Sequence, residues 1–204
     1  MISTAQKDGP VPVSPRDAHK QDMCEALLRS GHSIVAKAGF SALSMAAIAG
    51  QANMATGNLY RYFKDKAALS VAIFERATEH EMHAVFECVN HRAPPVLQLE
   101  MLLTAFLQRS LANPQLAYAL IAEPVAPEVE QARGNYRRRW AKRFAAVIAD
   151  GIAQGQLAQQ PVMLAATALV GAVAEPLSVA PEQQTFDAIQ VDELVAFCLR
   201  ALRL

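Results

Sequence analysis

Residues 39–66 read GFSALSMAAIAGQANMATGNLYRYFKDK, and this stretch decides the fold. Ser44 stands before an apolar turn holding Met45, Ile48 and Ala49, where a serine hydroxyl serves as a helix N-cap. Asn53 interrupts that helix, and asparagine accepts a positive φ more readily than other non-glycine residues. Leu59 and Phe63 follow at the spacing of one helical face. Two short helices across a tight turn, each with apolar side chains toward the other, make a helix-turn-helix. In that unit, residues about 43–62, Ile48 and Ala49 pack against Leu59 and Phe63, and Met54 plugs the turn. The second helix offers Thr56, Gly57, Asn58 and Tyr60 at its N-terminal end. Backbone N–H groups and partial positive charge there suit a phosphate. An Asn amide can pair with a base edge, a glycine lets the backbone come close, and a Tyr hydroxyl reaches phosphate oxygens. Those residue types point to duplex DNA.

Upstream, a helical period starts at Arg16, with Met23, Leu27, Ile34 and Ala38 in one stripe and Leu28 and Val35 beside it. Gly39 sits where a helix takes a left-handed cap. Residues 1–15, with Gly9, Pro10, Pro12 and Pro15, read as a disordered lead-in. Downstream the periodicity predicts a helix from Asp65 to about Asn90, with Leu69, Ile73, Ala77, Met82 and Phe86 inward. Further helices are expected over about 96–112, 115–122, 127–155, 161–175 and 186–202, separated by Pro-containing breaks. No alternating strand pattern or internal repeat competes with this reading. The expected fold is all-α, with a three-helix DNA-binding head over 16–66 and a larger helical body over 67–204.

The chain has 204 residues and a formal net charge of zero. That balance excludes a polybasic coat protein, but it hides a basic head of net +3 over 16–66. An apolar composition of 52% is ample for a core and excludes a disordered chain. The longest apolar run, Met163 to Ala174, is too short for a membrane span. Residues 1–14 lack the pattern of a secretory signal. Cys24, Cys88 and Cys198 form no CxxC pair and read as ordinary apolar residues in a reducing, cytoplasmic setting.

The segment Gly57-Asn58-Leu59-Tyr60-Arg61-Tyr62-Phe63-Lys64-Asp65-Lys66, preceded by Ile48-Ala49, resembles the head of TetR-type (tetracycline-repressor-like) transcriptional regulators. The resemblance covers about 17–77, with Asn53 where the family places a turn glycine. It implies base and phosphate contacts by Thr56, Gly57, Asn58 and Tyr60, and phosphate contacts by Ser44, Tyr62 and Lys66. It assigns Leu59 and Phe63 to the core. It also implies a body that dimerises through its last two helices and encloses a small-molecule pocket. The expected protein is a homodimeric repressor, released from a pseudo-palindromic operator by a small, mostly apolar effector. A helical adaptor without DNA binding is the alternative.

Within the body, Phe106, Tyr118, Trp140 and Phe144 are candidates for lining such a pocket, although aromatics are more often core. Glu175 lies in an almost uncharged segment before Pro176. Such a carboxylate ends in water at the helix terminus or is paired in a pocket or interface. For the dimer, the small residues Ala168, Gly171 and Ala172, with Leu164, allow close helix approach. The stripe Val191, Leu194, Val195, Cys198 and Leu202 supplies the second helix of an isologous four-helix bundle. His80, His83, Glu87 and His91 share one helix, yet a solvated role is favoured over a metal site. Arg137, Arg138, Arg139, Lys142 and Arg143 fan around a helix and read as a solvated face. No convergent acid, base or nucleophile set and no phosphate- or dinucleotide-binding motif is present, so neither catalysis nor a cofactor is expected.

Overall fold

A computed structural model of the chain describes residues 15–203. The lead-in expected over 1–15 lies outside them, except for Pro15, the first residue of α1 (Pro15–Ala38). A 3-10 turn (Phe40–Ala42) leads to α2 (Met45–Gln51) and α3 (Thr56–Leu59), which complete the head. Then follow α4 (Lys66–Glu87), α5 (Pro95–Ala112), α6 (Pro114–Ile121), α7 (Pro127–Ala153), α8 (Val162–Ala174) and α9 (Ala188–Leu202). Two 3-10 turns, Glu175–Leu177 and Pro181–Gln183, join α8 to α9. Among the described residues there is no strand, and the fold is an all-α helix-turn-helix head on a helical body.

Local sequence sets most of these boundaries. Ser44 Oγ accepts from Ala47 N–H at the start of α2, and Asp65 accepts from Ala68 N–H at the start of α4. Asn113 caps α6, and Asp187 with Gln190 forms a full capping box on α9. Each satisfies N–H groups that a helix start leaves without partners. Pro95, Pro114 and Pro127 occupy first-turn positions, where the missing N–H costs nothing. Asn53 has φ 53°, the left-handed value its turn requires.

Packing ties the head to the body through α1. Its buried line is Leu27, Gly31 and Val35, while Met23 and Ile34 are half-buried and Ala38 is exposed. The stripe expected from periodicity is therefore rotated, because α1 meets α4 as well as α2 and α6. At the α1–α4 contact a Cβ on Gly31 would fall 2.2 Å from Ile73 Cδ1, so the helices touch where the side chain is missing. In the body α7 packs on α4, α5 and α8, and α5 packs on α9. Trp140 on α7 is the hub. Phe86 and Phe144 stack on it at 5.5 and 5.6 Å, and Phe106 and Tyr136 meet it edge-on. The chain of rings continues through Phe74 to Phe40 in the head. Burial of such side chains contributes about 1.5–3 kcal/mol each, and ring contacts add a further ~0.5–1.5.

Candidate DNA interface, head–body joint and ligand cavity

The apolar partners expected inside the helix-turn-helix meet as read. Met45, Ile48, Ala49, Leu59 and Phe63 are all buried, and Met54 is half-buried in the turn. Regular helix in α3 is only four residues long. It tightens at once into a turn, with Arg61 N–H donating to Asn58 O and Tyr62 N–H to Leu59 O. Thr56, Gly57 and Asn58 are exposed on this element, and Tyr60 is 57% exposed. A Cβ on Gly57 would meet nothing within 4 Å, so no internal contact requires a glycine there. Ser44 is exposed although its hydroxyl oxygen already caps α2. Lys66 is exposed at the first position of α4, while Tyr62 is half-buried against the core.

Where the head meets the body, Glu123 is only 6% exposed. Its carboxylate accepts from Phe40 N–H at 2.8 Å and Ser41 N–H at 2.9 Å. Gly39, just before them, has φ 77° and ψ 179°, a conformation that essentially only glycine adopts. A Cβ there would also lie 2.6 Å from a Glu123 oxygen. Arg133, 3% exposed, holds the main chain behind Glu123. It donates to the carbonyls of Ala119, Leu120 and Glu123 and pairs with Glu130. A cation at the C-terminal end of α6 answers carbonyls that the helix leaves unpaired. Burial lowers the Arg133 pKa, and the facing Glu130 opposes that shift. Sequence reading missed both residues.

Glu123→Ala strips the acceptor from two N–H groups at this joint. A loss of about 2 kcal/mol is expected, which lowers the melting temperature of a chain this size by roughly 4–8 °C. Amide exchange at Phe40 and Ser41 should quicken in the same variant. Wild-type melting and unchanged exchange would show that the carboxylate carries nothing.

A cavity of about 250 Å³ lies among five helices, bounded by His32 of α1, Glu81 and Val85 of α4, Phe106, Arg109 and Ser110 of α5, α6 side chains and Tyr136 of α7. A smaller space of about 30 Å³ adjoins it, sharing Phe106, Leu120, Ile121 and Tyr136 and reaching Trp140, Phe144 and Val173. Of the pocket candidates, Phe106, Trp140 and Phe144 therefore line this region. Tyr118 and Glu175 do not. Tyr118 is half-buried on α6 but outside the cavity walls. Glu175 is exposed and borders a further cleft between α7 and α8, with Arg137, Arg138 and Gly171. That cleft shares Arg137, Val170 and Ala174 with the smaller space. His32 and Arg109, which periodicity did not single out, stand on the walls instead.

The dimer candidates divide by helix. On α8, Leu164 is 68% exposed, and Thr167, Ala168 and Gly171 are exposed on the same face, while Ala172 is half-buried. On α9, Val191, Val195, Cys198 and Leu202 are buried within the protomer, and Leu194 is half-buried. That stripe belongs to the protomer's own core, on the helix that packs against α5. The apolar side chains that α9 turns outward are Ile189, 76% exposed, and Phe197, 55% exposed.

Among the described residues no group of three metal-type side chains converges. His83 pairs with Glu87, and His80 with Glu81. Arg137, Arg138 and Arg139 are exposed and bond to the Ile121 carbonyl, Asn135 and Glu79, while Arg143 lies 4.8 Å over the Phe86 ring. The cysteines are free, with Cys198 buried, Cys24 half-buried and Cys88 exposed. No described helix is long and apolar enough to cross a membrane.

Residues 27–73 match the family model described as bacterial regulatory proteins, tetR family. Solved structures share the whole fold. A protein from Shewanella sp. PV-4, assigned to the tetR family of transcription regulators, superposes with a TM-score of 0.69 at 24% identity, over 89% of this chain and 98% of its own. RolR in complex with resorcinol gives 0.69 at 20% identity, over 91% and 89%. FadR from Bacillus subtilis in complex with stearoyl-CoA gives 0.72 at 17% identity, over 88% and 99%. No curated protein matches in sequence. The likenesses establish the fold, and the match over residues 27–73 identifies the head as that of the tetR family of bacterial regulatory proteins.

Proposed function

We propose that the protein is a homodimeric repressor that leaves its operator when a small, mostly apolar effector fills the cavity of the body. The observation that carries this reading is the position of α6. Glu123, just past its C-terminal end, holds the head, and Leu116, Ala117, Leu120 and Ile121 of the same helix line the cavity. A ligand changes the DNA-binding equilibrium only if it prefers one arrangement of the heads. Both similar structures quoted with ligands carry a molecule with substantial apolar surface, resorcinol in one and stearoyl-CoA in the other. A volume of about 250 Å³ favours the smaller kind here.

On the DNA side, Thr56, Gly57, Asn58 and Tyr60 face the major groove, and Ser44, Tyr62 and Lys66 meet phosphates. The exposure of Thr56, Gly57, Asn58, Tyr60 and Lys66, together with the open space at Gly57, supports this. Lys66→Ala should weaken binding to all sequences alike and reduce the salt slope by about one unit. Asn58→Ala should instead relax preference at one operator position, at a cost of about 1–3 kcal/mol. Electrophoretic shifts on DNA upstream of the chain's own reading frame, repeated across salt concentrations, measure both. An unaltered salt slope in Lys66→Ala removes that residue from the footprint. Two-fold symmetry would place two recognition helices on successive major grooves of a pseudo-palindrome.

A further inference from the structure

Two buried nitrogens have no hydrogen-bond partner, His32 Nε2 and Trp140 Nε1. Roughly nine in ten buried polar atoms are paired, so an orphan calls for a cause. Both residues stand on walls of the same region, His32 on the main chamber and Trp140 on its apolar side chamber. The rest of the lining is apolar, apart from the Tyr136 hydroxyl, which borders both chambers, and groups that are at least partly engaged. Ser110 Oγ donates to the Phe106 carbonyl, and Asn113 Oδ1 accepts from Leu116 N–H.

Charge in the main chamber is cancelled. Arg109 donates Nε and Nη2 to one Glu81 oxygen, at 2.9 and 2.8 Å, and His80 Nδ1 is 3.3 Å from the other. Burial lowers the His32 pKa, and the neighbouring His80 adds to this while Glu81 opposes it, which favours a neutral imidazole. At the side chamber Arg133 and Arg137 donate to carbonyls of residues 119–123. An ionised ligand would find no unanswered counter-charge in the main chamber, and would give up its hydration on entry. Size is also bounded, because about 250 Å³ lies below the roughly 300–1,000 Å³ of sites for drug-sized molecules. A hydroxyl both donates and accepts, so it satisfies Nε2 in either tautomer of the ring.

We propose that this cavity binds a compact, uncharged, mostly apolar alcohol or phenol whose hydroxyl hydrogen-bonds to His32 Nε2. His32 belongs to α1, so such a ligand touches the DNA-binding head directly as well as the body. The regulatory meaning of the contact rests on the effector reading above, whereas the ligand class does not.

The test compares 4-propylphenol, 4-propyltoluene and 4-propylbenzoate on the full chain by calorimetry. Fluorescence of Trp140, the only tryptophan, follows filling of the region when excited beyond phenol absorption. The phenol should bind about three- to tenfold more tightly than the toluene, as one neutral hydrogen bond provides, and the benzoate should bind most weakly. His32→Phe should bring phenol and toluene to equal affinity, and His32→Ala reads the same ratio if the larger ring disturbs α1. Absence of phenol binding, equal affinities in the wild type, tightest binding of the benzoate, or a preference undiminished in a folded His32 variant would each overturn the assignment. A His32-dependent phenol preference that leaves operator affinity unaltered would sustain the ligand class and sink the effector reading.

Discussion

Arg133→Met is expected to melt roughly 6–12 °C below the wild type, the largest stability loss of any single change at the joint. Three carbonyls, of Ala119, Leu120 and Glu123, lose their donor together. A methionine fills much of the volume but donates nothing. Each buried group left without a partner costs about 1–3 kcal/mol, so a total near 3 kcal/mol is a conservative sum. For a chain of this length that converts to the stated shift at ~2–4 °C per kcal/mol. The partner carboxylate, Glu130, is 54% exposed and returns to water, so no buried charge is stranded. The damage should also travel. With the Glu123 carbonyl released, its side chain holds Phe40 and Ser41 less well, and exchange of those amides should quicken even though neither touches Arg133. Calorimetric melting with residue-resolved exchange checks both parts, and a variant that melts within 2 °C of wild type would contradict the account.

Phe197→Asp and Gly171→Arg are each expected to convert a dimer into monomers and to abolish specific operator binding. The two lie on different helices, each at an exposed position. On α8 Leu164, Thr167, Ala168 and Gly171 are exposed, and on α9 Ile189 and Phe197 are exposed, as are Glu193 and Arg200. Exposed apolar side chains ringed by polar ones mark an association surface. In an isologous contact every substitution counts twice. Gly171 makes the test clean, because a Cβ there meets nothing in the protomer, so the arginine leaves each subunit folded. A protomer that holds one half-site loses the second, and with it most of the specific affinity. Sedimentation velocity at micromolar concentration and an operator shift read the two outcomes. Either variant remaining a dimer would remove its helix from the interface, and a monomeric wild type would remove the interface altogether.

Local signals carried most of the fold. The N-cap at Ser44, the positive φ at Asn53, the prolines opening α5, α6 and α7, and the apolar quartet of the helix-turn-helix are short-range effects of individual residues. The direction in which a stripe faces was not legible. Val191, Val195, Cys198 and Leu202 make a correct amphipathic pattern, but protomer cores and dimer cores are both apolar. The stripe belongs to the first, while Ile189 and Phe197 on the other side are too sparse to form a period of their own. Tyr118 and Glu175 were candidates by composition, and composition says nothing of orientation on a helix. The joint did leave one trace. Glu123 is the only charged residue between Arg109 and Glu128, and an isolated carboxylate in such company must find donors. Arg133 and His32 left none, since their roles arise only when α6 and α4 are brought against them.

Gly39 and Glu123, 84 positions apart, also constrain how this sequence can change. As long as the carboxylate is present, position 39 rejects every side chain twice, by collision and by backbone conformation. Shortening Glu123 removes the collision alone, so Gly39→Ala should be less damaging in a Glu123→Ala background than in the wild type, without becoming harmless. The two positions are thus epistatic with a direction. Drift in this lineage can lose the carboxylate first and afterwards tolerate a side chain at 39, whereas the reverse order passes through a form with a displaced head. The order of mutational change is bound to a few ångströms at the joint.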